Sequence, residues 1–402
     1  MKKAILVTGI IGVMIFLLLP TLAVSAATYD SVVTGKGDAN QDVKAVQDAV
    51  NQGGTVLLKG TFDFGIEGRV NIKNDIKVFG ETDSQGKPLT RINRGHWSFY
   101  SPLPSKDSPP EAPGPKIAIR GIHFDGALWT PIHFPYTSGA EISGNKITNV
   151  LPYQLRQTLW VHAGAVFGTR FINREKILPG TTGHLVFEDN EVDLKCDDPK
   201  KTMGQGAFFI WTWGAIIEIR GNSFANVSRN SIETLDNYLD EQGRGTVIIT
   251  DNRIITPADG CPFPSPTIYP NGIVVGWFLD SPAAEDPKRN SKILIMNNYV
   301  ETSSELASGI VLLGHGTLVL GNKIVMKGRS KSMGIAEFGS NSFVARNKIE
   351  SSGTWIMRAL PSRVLEGSGN TFAWNSIKEF KALSANFLCL GNNNVLVGQN
   401  AS

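Results

Sequence analysis

Residues 317–349 read TLVLGNKIVMKGRSKSMGIAEFGSNSFVARNKI, and this stretch decides the fold. It holds one phrase twice, Val319-Leu-Gly-Asn322-Lys-Ile324 and Val344-Ala-Arg-Asn347-Lys-Ile349. Each copy is a β-forming residue, two small or polar residues, an asparagine, a polar residue and a second apolar one. Upstream the phrase recurs as Ile142-Ser-Gly-Asn145-Lys-Ile147, Phe187-Glu-Asp-Asn190-Glu-Val192 and Ile219-Arg-Gly-Asn222-Ser-Phe224. It returns as Ile249-Thr-Asp-Asn252-Arg-Ile254 and Ile295-Met-Asn-Asn298-Tyr-Val300. Fainter copies are read at Asn370-Thr-Phe372 and around Asn392 to Asn394.

A phrase repeated in this way means a coiled, quasi-one-dimensional architecture. Successive asparagines from Asn145 to Asn370 lie 45, 32, 30, 46, 24, 25 and 23 residues apart. The shortest steps are the bare repeat, with room for three short strands of about five residues and three turns. One late repeat shows them: Gly309–Leu313, Thr317–Leu320 and Ile324–Met326, with the next repeat starting at Gly334-Ile335. Parallel strands stacked coil on coil, about 4.8 Å apart, make an all-β, single-stranded right-handed parallel β-helix with three strands per coil. Asparagine suits its turns because it tolerates the left-handed conformation, and stacked asparagine side chains can hydrogen-bond from coil to coil. The leucine spacing of a leucine-rich repeat is absent.

The N-terminal part supplies a lid for this stack. Val43, Val46, Ala49 and Val50 fall at helical spacing over residues 41–50, with Asn40 as N-cap and Gly53-Gly54 as terminator. A helix there covers the open end of the core. Strands follow at 55–58, 70–72 and 76–79, and residues 101–116 read as a Pro/Ser-rich loop. Ahead of the helix, Lys2 and Lys3, the apolar run Ala4 to Leu19 and the small residues Val24-Ser25-Ala26 read as a signal peptide over 1–26, leaving 27–402 as the β-helix domain. An uncleaved anchor is the alternative. The expected location is therefore periplasmic, cell-surface or extracellular, with no further membrane segment.

The chain has 402 residues, 41% hydrophobic and 19% charged, with a net charge of +3. That balance argues against a polyanion footprint, and no phosphate loop or nucleic-acid motif is present. Of three cysteines, Cys389 reads as a buried apolar residue, while Cys196 and Cys261 lie in expected loops two repeats apart. No Cys/His spacing suggests zinc.

The capping helix, the following Gly53-Gly54-Thr-Val-Leu-Leu58 and the Asn-turn coils together resemble the pectin-lyase-like β-helix superfamily over residues 30 to 400. The resemblance implies a polysaccharide partner, through a lyase, hydrolase or epimerase or through a non-catalytic member. It does not extend to one enzyme family. Asp197-Asp198 and Gly314-His315-Gly316 are similar to polygalacturonase elements but stand several coils apart. Leu159-Trp-Val-His162 lacks the aspartate of the pectate-lyase element, and Arg358-Ala-Leu-Pro-Ser-Arg363 has its proline displaced. The Asp-Pro-His motif of the alginate-epimerase type is absent.

The long steps locate the expected loops, at 97–116, 151–183, 236–245, 256–270 and 280–291, around a groove on the middle coils. Trp160, Trp211, Trp213 and Trp277 lie near it as candidate sugar platforms. Glu233, Asp236, Asp280, His315, Glu337 and Arg358 fall at or after the first strand of successive coils. Among them Asp236, Asp280, His315 and Arg358 are the candidate catalytic set, for acid–base cleavage or abstraction of a proton beside a uronate carboxylate. A row of carboxylates could also hold calcium, although no motif calls for it. Two functions follow: an enzyme acting on polysaccharide, or a carbohydrate-binding or envelope-associated protein in which the carboxylates are incidental. A phage-type adhesin fits poorly with the export signal.

Overall fold

The repeated asparagines stack into a single ladder. In the computed structural model, Asn145, Asn190, Asn222, Asn252, Asn298, Asn322 and Asn347 each pass hydrogen bonds from Nδ2 and the backbone N–H to Oδ1 of the next, ending on Asn375. The structure describes residues 28–104, 113–156, 159–168, 180–195, 202–257, 270–277, 291–304, 307–327, 333–351, 355–359, 368–379, 387–389, 393–398 and 400–401. The expected signal peptide, Cys196, Cys261 and Asp280 lie outside them.

Three parallel sheets run the length of the molecule as the faces of a right-handed parallel β-helix. Sheet A has thirteen strands, from Ser31–Thr34 to Val395–Val397. Sheet B begins at Thr61–Asp63 and ends at Asn400–Ala401. Sheet C begins at Val70–Asn71 and ends at Phe387–Cys389. The chain visits A, B and C in turn, and the ladder lies at the A-to-B corner. In each strand alternate residues enter one continuous core, in which Ile219, Ile249 and Ile295 stack from sheet A, and Phe224, Ile254 and Val300 from sheet B.

Two details of the turn differ from expectation. The left-handed residue is the one before each asparagine: Gly144, Asp189, Gly221, Asp251, Asn297, Gly321, Arg346 and Trp374 all have positive φ. The asparagine turns inward instead, where Nδ2 can reach carbonyls of its own coil and of the preceding one. The eighth rung is Asn375, in Phe372-Ala-Trp-Asn375-Ser-Ile377; the bulky Trp374 hides it in the sequence. Asn370 belongs to a second short ladder at the C-to-A corner, between Ser342 and Asn394.

The helix α1 spans Ala39–Gln52 and buries Val46, Ala49 and Val50 against the first coils. Its N-cap is Asp38, two residues earlier than expected; the carboxylate accepts the Gln41 N–H at 2.9 Å. A strand, Ser31–Thr34, precedes the helix and pairs with Gly54–Lys59. The described residues of the expected loop at 151–183 are largely strand. Leu159–Phe167 is a member of sheet C, and Tyr153–Arg156 folds back on it as an antiparallel arm.

Candidate functional site

Long connections enter and leave sheet C, so its outward face is where inserted chain can build a site. The outward column runs Asn71, Tyr100, His133, Val166, Phe208, Glu233, Val274, Val311, Ala336, Arg358, by strand register. Much of it is closed to solvent: His133, Val166, Glu233, Val274 and Ala336 are all buried. By contrast, charges on the outer faces of sheets A and B are largely paired across strands, as in Lys146–Glu191 and Arg220–Glu188.

At the N-terminal end of this face seven side chains gather into a ring bay. The B-to-C corners stack in register, His96 on Leu128 on Leu151. Stacking places the residues that follow, Trp97, Trp129 and Tyr153, on successive coils. Tyr100 and His133 are register partners on neighbouring strands. Trp97 lies 4.8 Å from Tyr100, 5.1 Å from Trp129 and 4.7 Å from His133, centroid to centroid. Tyr153, carried by the antiparallel arm, stacks on Trp129 at 5.6 Å and meets His96 at 5.3 Å. The Arg69 guanidinium sits 4.2 Å over Trp97 and 5.2 Å from the Tyr100 ring, and Nε donates to the His96 carbonyl.

Two features mark the bay as more than packing. Trp97 and Trp129 hold φ of 53° and 66°, a conformation that bulky side chains rarely adopt and that costs on the order of 1–3 kcal/mol each. His96 Nε2, Trp97 Nε1 and His133 Nδ1 are buried without a hydrogen-bond partner.

The electrostatics follow from burial. Desolvation pushes the His133 imidazole down to about 3, with Arg69 and His96 adding repulsion. It also lowers His96, against a 3.3 Å contact with the exposed Glu67 carboxylate. Burial raises the Tyr100 phenol and lowers Arg69. At neutral pH the bay therefore offers aromatic faces, neutral imidazoles, a protonated phenol and one cation.

Farther along the face, Glu233 is fully buried. Oε2 accepts from Gln205 and Asn230, and Oε1 from Arg229 at 3.3 Å. Asn230 is tied in turn to Asn271 at 3.0 Å. This network satisfies the carboxylate and pins the corner of three coils. Just beyond the strand, Asp236 is buried at φ 53° beside Trp211, near Trp213, Tyr238 and Trp277.

Of the expected site residues, Asp236 and His315, whose side chains are described, do not converge. Two coils separate His315 from Asp236, about 10 Å at the strand spacing. The His315 Nδ1 accepts the Ser340 N–H at 3.1 Å. Arg358 is in the outward column of sheet C by backbone register, four strands beyond Glu233; its side chain lies outside the description. Glu337 faces the opposite way, into the core column with Val275 and Leu312. The carboxylates therefore do not form one row, because strand alternation sends neighbours to opposite faces. Trp277 is fully buried and shows no face to a ligand. Trp211 and Trp213 are half-buried, and Trp160 is exposed on Leu159–Phe167. Among the described residues no group of three or more His, Cys, Asp or Glu is arranged to hold a metal ion, and no helix is long and apolar enough to cross a membrane.

Sequence reasoning missed the bay because it read 97–116 as loop. The available signal was a repeat of its own: Trp97 stands three residues before Tyr100, and Trp129 four before His133, one coil later.

No family model matches the chain, and no curated protein does. Among solved structures, the A-module of mannuronan C-5 epimerase AlgE6 from Azotobacter vinelandii is similar, with a TM-score of 0.52 at 12% identity over 92% of this chain and 97% of that one. A mannuronic acid-specific family 6 polysaccharide lyase from human gut microbiota aligns at 0.45 and 11% identity, over 91% and 82%. The PfbA surface adhesin of Streptococcus pneumoniae aligns at 0.37 and 12% identity, over 92% and 93%. At such identities the likeness establishes the parallel β-helix fold alone, and only the first exceeds a TM-score of 0.5.

Proposed function

We propose that this is an exported protein that binds polysaccharide on the outer face of sheet C, with the ring bay as its principal contact. The observation that carries this reading is the bay itself. Half-buried Trp97, Tyr100, Trp129 and Tyr153 present flat apolar faces to the apolar faces of sugar rings, and Arg69 offers a charge to an acidic substituent. The shared fold with an epimerase named for its action on mannuronan supports polysaccharide as the ligand class. Half-buried Trp211 would form the far wall of the contact.

The test is calorimetric titration of the full chain with acidic and neutral oligosaccharides. Trp129→Ala should weaken binding at least tenfold while the fold, read by circular dichroism, persists. Unchanged affinity in a folded Trp129→Ala protein would remove the bay from the proposal.

A catalytic reading is favoured by one grouping, in which the Tyr100 ring lies 5.2 Å from the Arg69 guanidinium and 5.5 Å from the His133 ring. Arg69 would neutralise a uronate carboxylate and a neutral imidazole would take the adjacent C5 proton. The C4–O bond would then break, with the Tyr100 phenol giving its proton to the leaving oxygen. New unsaturated ends, read by ultraviolet absorbance, would report this. Binding without such ends would leave a carbohydrate-binding protein.

A further inference from the structure

A second surface, on the outside of sheet A, has the shape and chemistry of a saccharide site distinct from the bay. Two open cavities, of about 780 and 430 Å³, meet at Ser138 and make one trough. The larger begins at Thr55 and Lys77 and crosses the strands to His184. The smaller continues to Trp213, Asp240 and Arg244. From the strand of Lys77 to the coil of Trp213 are four strand spacings, about 19 Å.

Three independent features distinguish this trough from an incidental crevice. The first is a bulge at its bend. Thr182 and Gly183 stand opposite the single residue Ser138, between the pairs Thr137–Thr181 and Gly139–His184. Gly183 has φ 74°, and a Cβ there would lie 1.8 Å from the Ser138 carbonyl oxygen, so only glycine lets the strand kink at this point. The second is a supported aromatic wall. Trp213, half-buried, rests on Tyr238 at 5.9 Å, and Tyr238 on the fully buried Trp277 at 5.4 Å, so the ring lining the cavity is held from behind.

The third is the charge balance. Most of the acids around the trough are already tied. Glu141 pairs with Arg120, Glu218 with His184 and Arg220, and Asp240 with Arg244, while Asp75 accepts the Lys116 N–H. Glu241 is exposed at the Trp213 end. At the other end Lys77 and Lys116 are exposed and form no ion pair among the described residues. The trough thus has an aromatic face at one end and, at the other, two exposed lysines against the single Asp75 carboxylate, a net positive charge.

We propose that this trough binds an acidic saccharide chain, with a sugar ring stacked on Trp213 and an anionic substituent held by Lys77 and Lys116. The ligand class follows the function proposed above; the site does not depend on the bay. Such a surface would hold polymer while the face of sheet C engages another segment.

The experiment is titration of the full chain with an oligogalacturonate hexamer and, separately, with cellohexaose, in three variants whose fold is checked by circular dichroism. The wild-type protein should show two sites for the acidic hexamer. Lys77→Gln with Lys116→Gln should remove one, and Arg69→Gln the other. Trp213→Ala should weaken the trough site at least tenfold. Added salt should weaken the lysine-dependent site. A single site abolished by Arg69→Gln and untouched by the lysine pair and Trp213→Ala overturns the trough and leaves the bay. A single site abolished by the lysine pair and untouched by Arg69→Gln keeps the trough and overturns the bay. Equal binding of cellohexaose with a silent lysine pair overturns the acidic assignment. No binding of either probe overturns both sites.

Discussion

Asn298, buried at the A-to-B corner, makes five side-chain hydrogen bonds. Nδ2 donates to the carbonyls of Ile249 and Met296 and to Asn322 Oδ1, each at 2.9 Å. Its Oδ1 accepts from the backbone and side chain of Asn252, at 3.0 and 2.9 Å. Asn298→Ala would orphan the Asn252 N–H and strip a donor from the Ile249 carbonyl and from the Met296 carbonyl, which keeps only the Asp251 N–H. The expected loss is about 3 kcal/mol, measured as a fall in the denaturation midpoint, since a buried unsatisfied group costs ~1–3 kcal/mol. A loss below 1 kcal/mol would mean that the ladder is decoration on a stack held by its core. This role was legible in the sequence, because a residue needed in identical geometry on every coil must recur. The left-handed residue beside it was not legible. Glycine, Asp, Asn, Arg and Trp all occupy that position, and nothing in their chemistry is shared.

At the scale of the element, the middle coils enter the core-packed part of sheet C through a residue with little or no side chain. Gly164, Gly206, Ser231, Gly272 and Gly309 stack there in strand register. A Cβ on Gly309 would lie 2.5 Å from Ile324 Cγ2 and 2.6 Å from the Gly334 carbonyl oxygen. Gly316, by contrast, has φ 67° and open space around it. Gly309→Ala should therefore cost about 3 kcal/mol by overpacking. Gly316→Ala should cost about 1 kcal/mol, from backbone strain alone. The difference is read from paired unfolding curves, and equal losses would show that the corner yields. Spacing in the sequence reveals these glycines poorly, because the inserted chain before and after sheet C varies in length. The same variation concealed the bay. Its aromatic residues are set on one face by register, through the stacked corners of His96, Leu128 and Leu151, and not by any fixed step along the chain.

At the scale of the whole molecule, three buried groups on different coils, His133, His162 and Glu337, carry large shifts that couple stability to pH. Burial holds His133 down to about 3 and His162 down to about 4. Unfolded histidine takes a proton near 6.5, so stability falls as pH drops from there toward 4 and 3. Glu337 behaves in the opposite sense. Burial among core residues raises it to about 8, outweighing loose contacts with Ser342 and the Gly339 N–H. The folded state keeps that proton while the unfolded chain releases it near 4.5, so stability falls as pH rises from 4.5 through 8. The thermal midpoint should peak at about pH 5–6, between the two limbs. Glu337→Gln should flatten the alkaline limb and leave the acidic one. An alkaline limb unchanged in that variant would assign it elsewhere.

The sequence by itself determined the coil: seven of the eight described ladder asparagines, the three strands of each turn and the capping helix, since every coil must meet the same packing constraint and so repeats the same residues. It also pointed to polysaccharide through resemblance. Only the tertiary structure decided which side chains meet. Asp236, His315 and Glu337 follow one rhythm in the chain yet lie on different coils and faces, because a shift of a single residue along a strand exchanges core for surface. Arg69, His96, Trp97, Tyr100, Trp129, His133 and Tyr153 follow no common rhythm, yet strand register and one antiparallel arm bring them within contact.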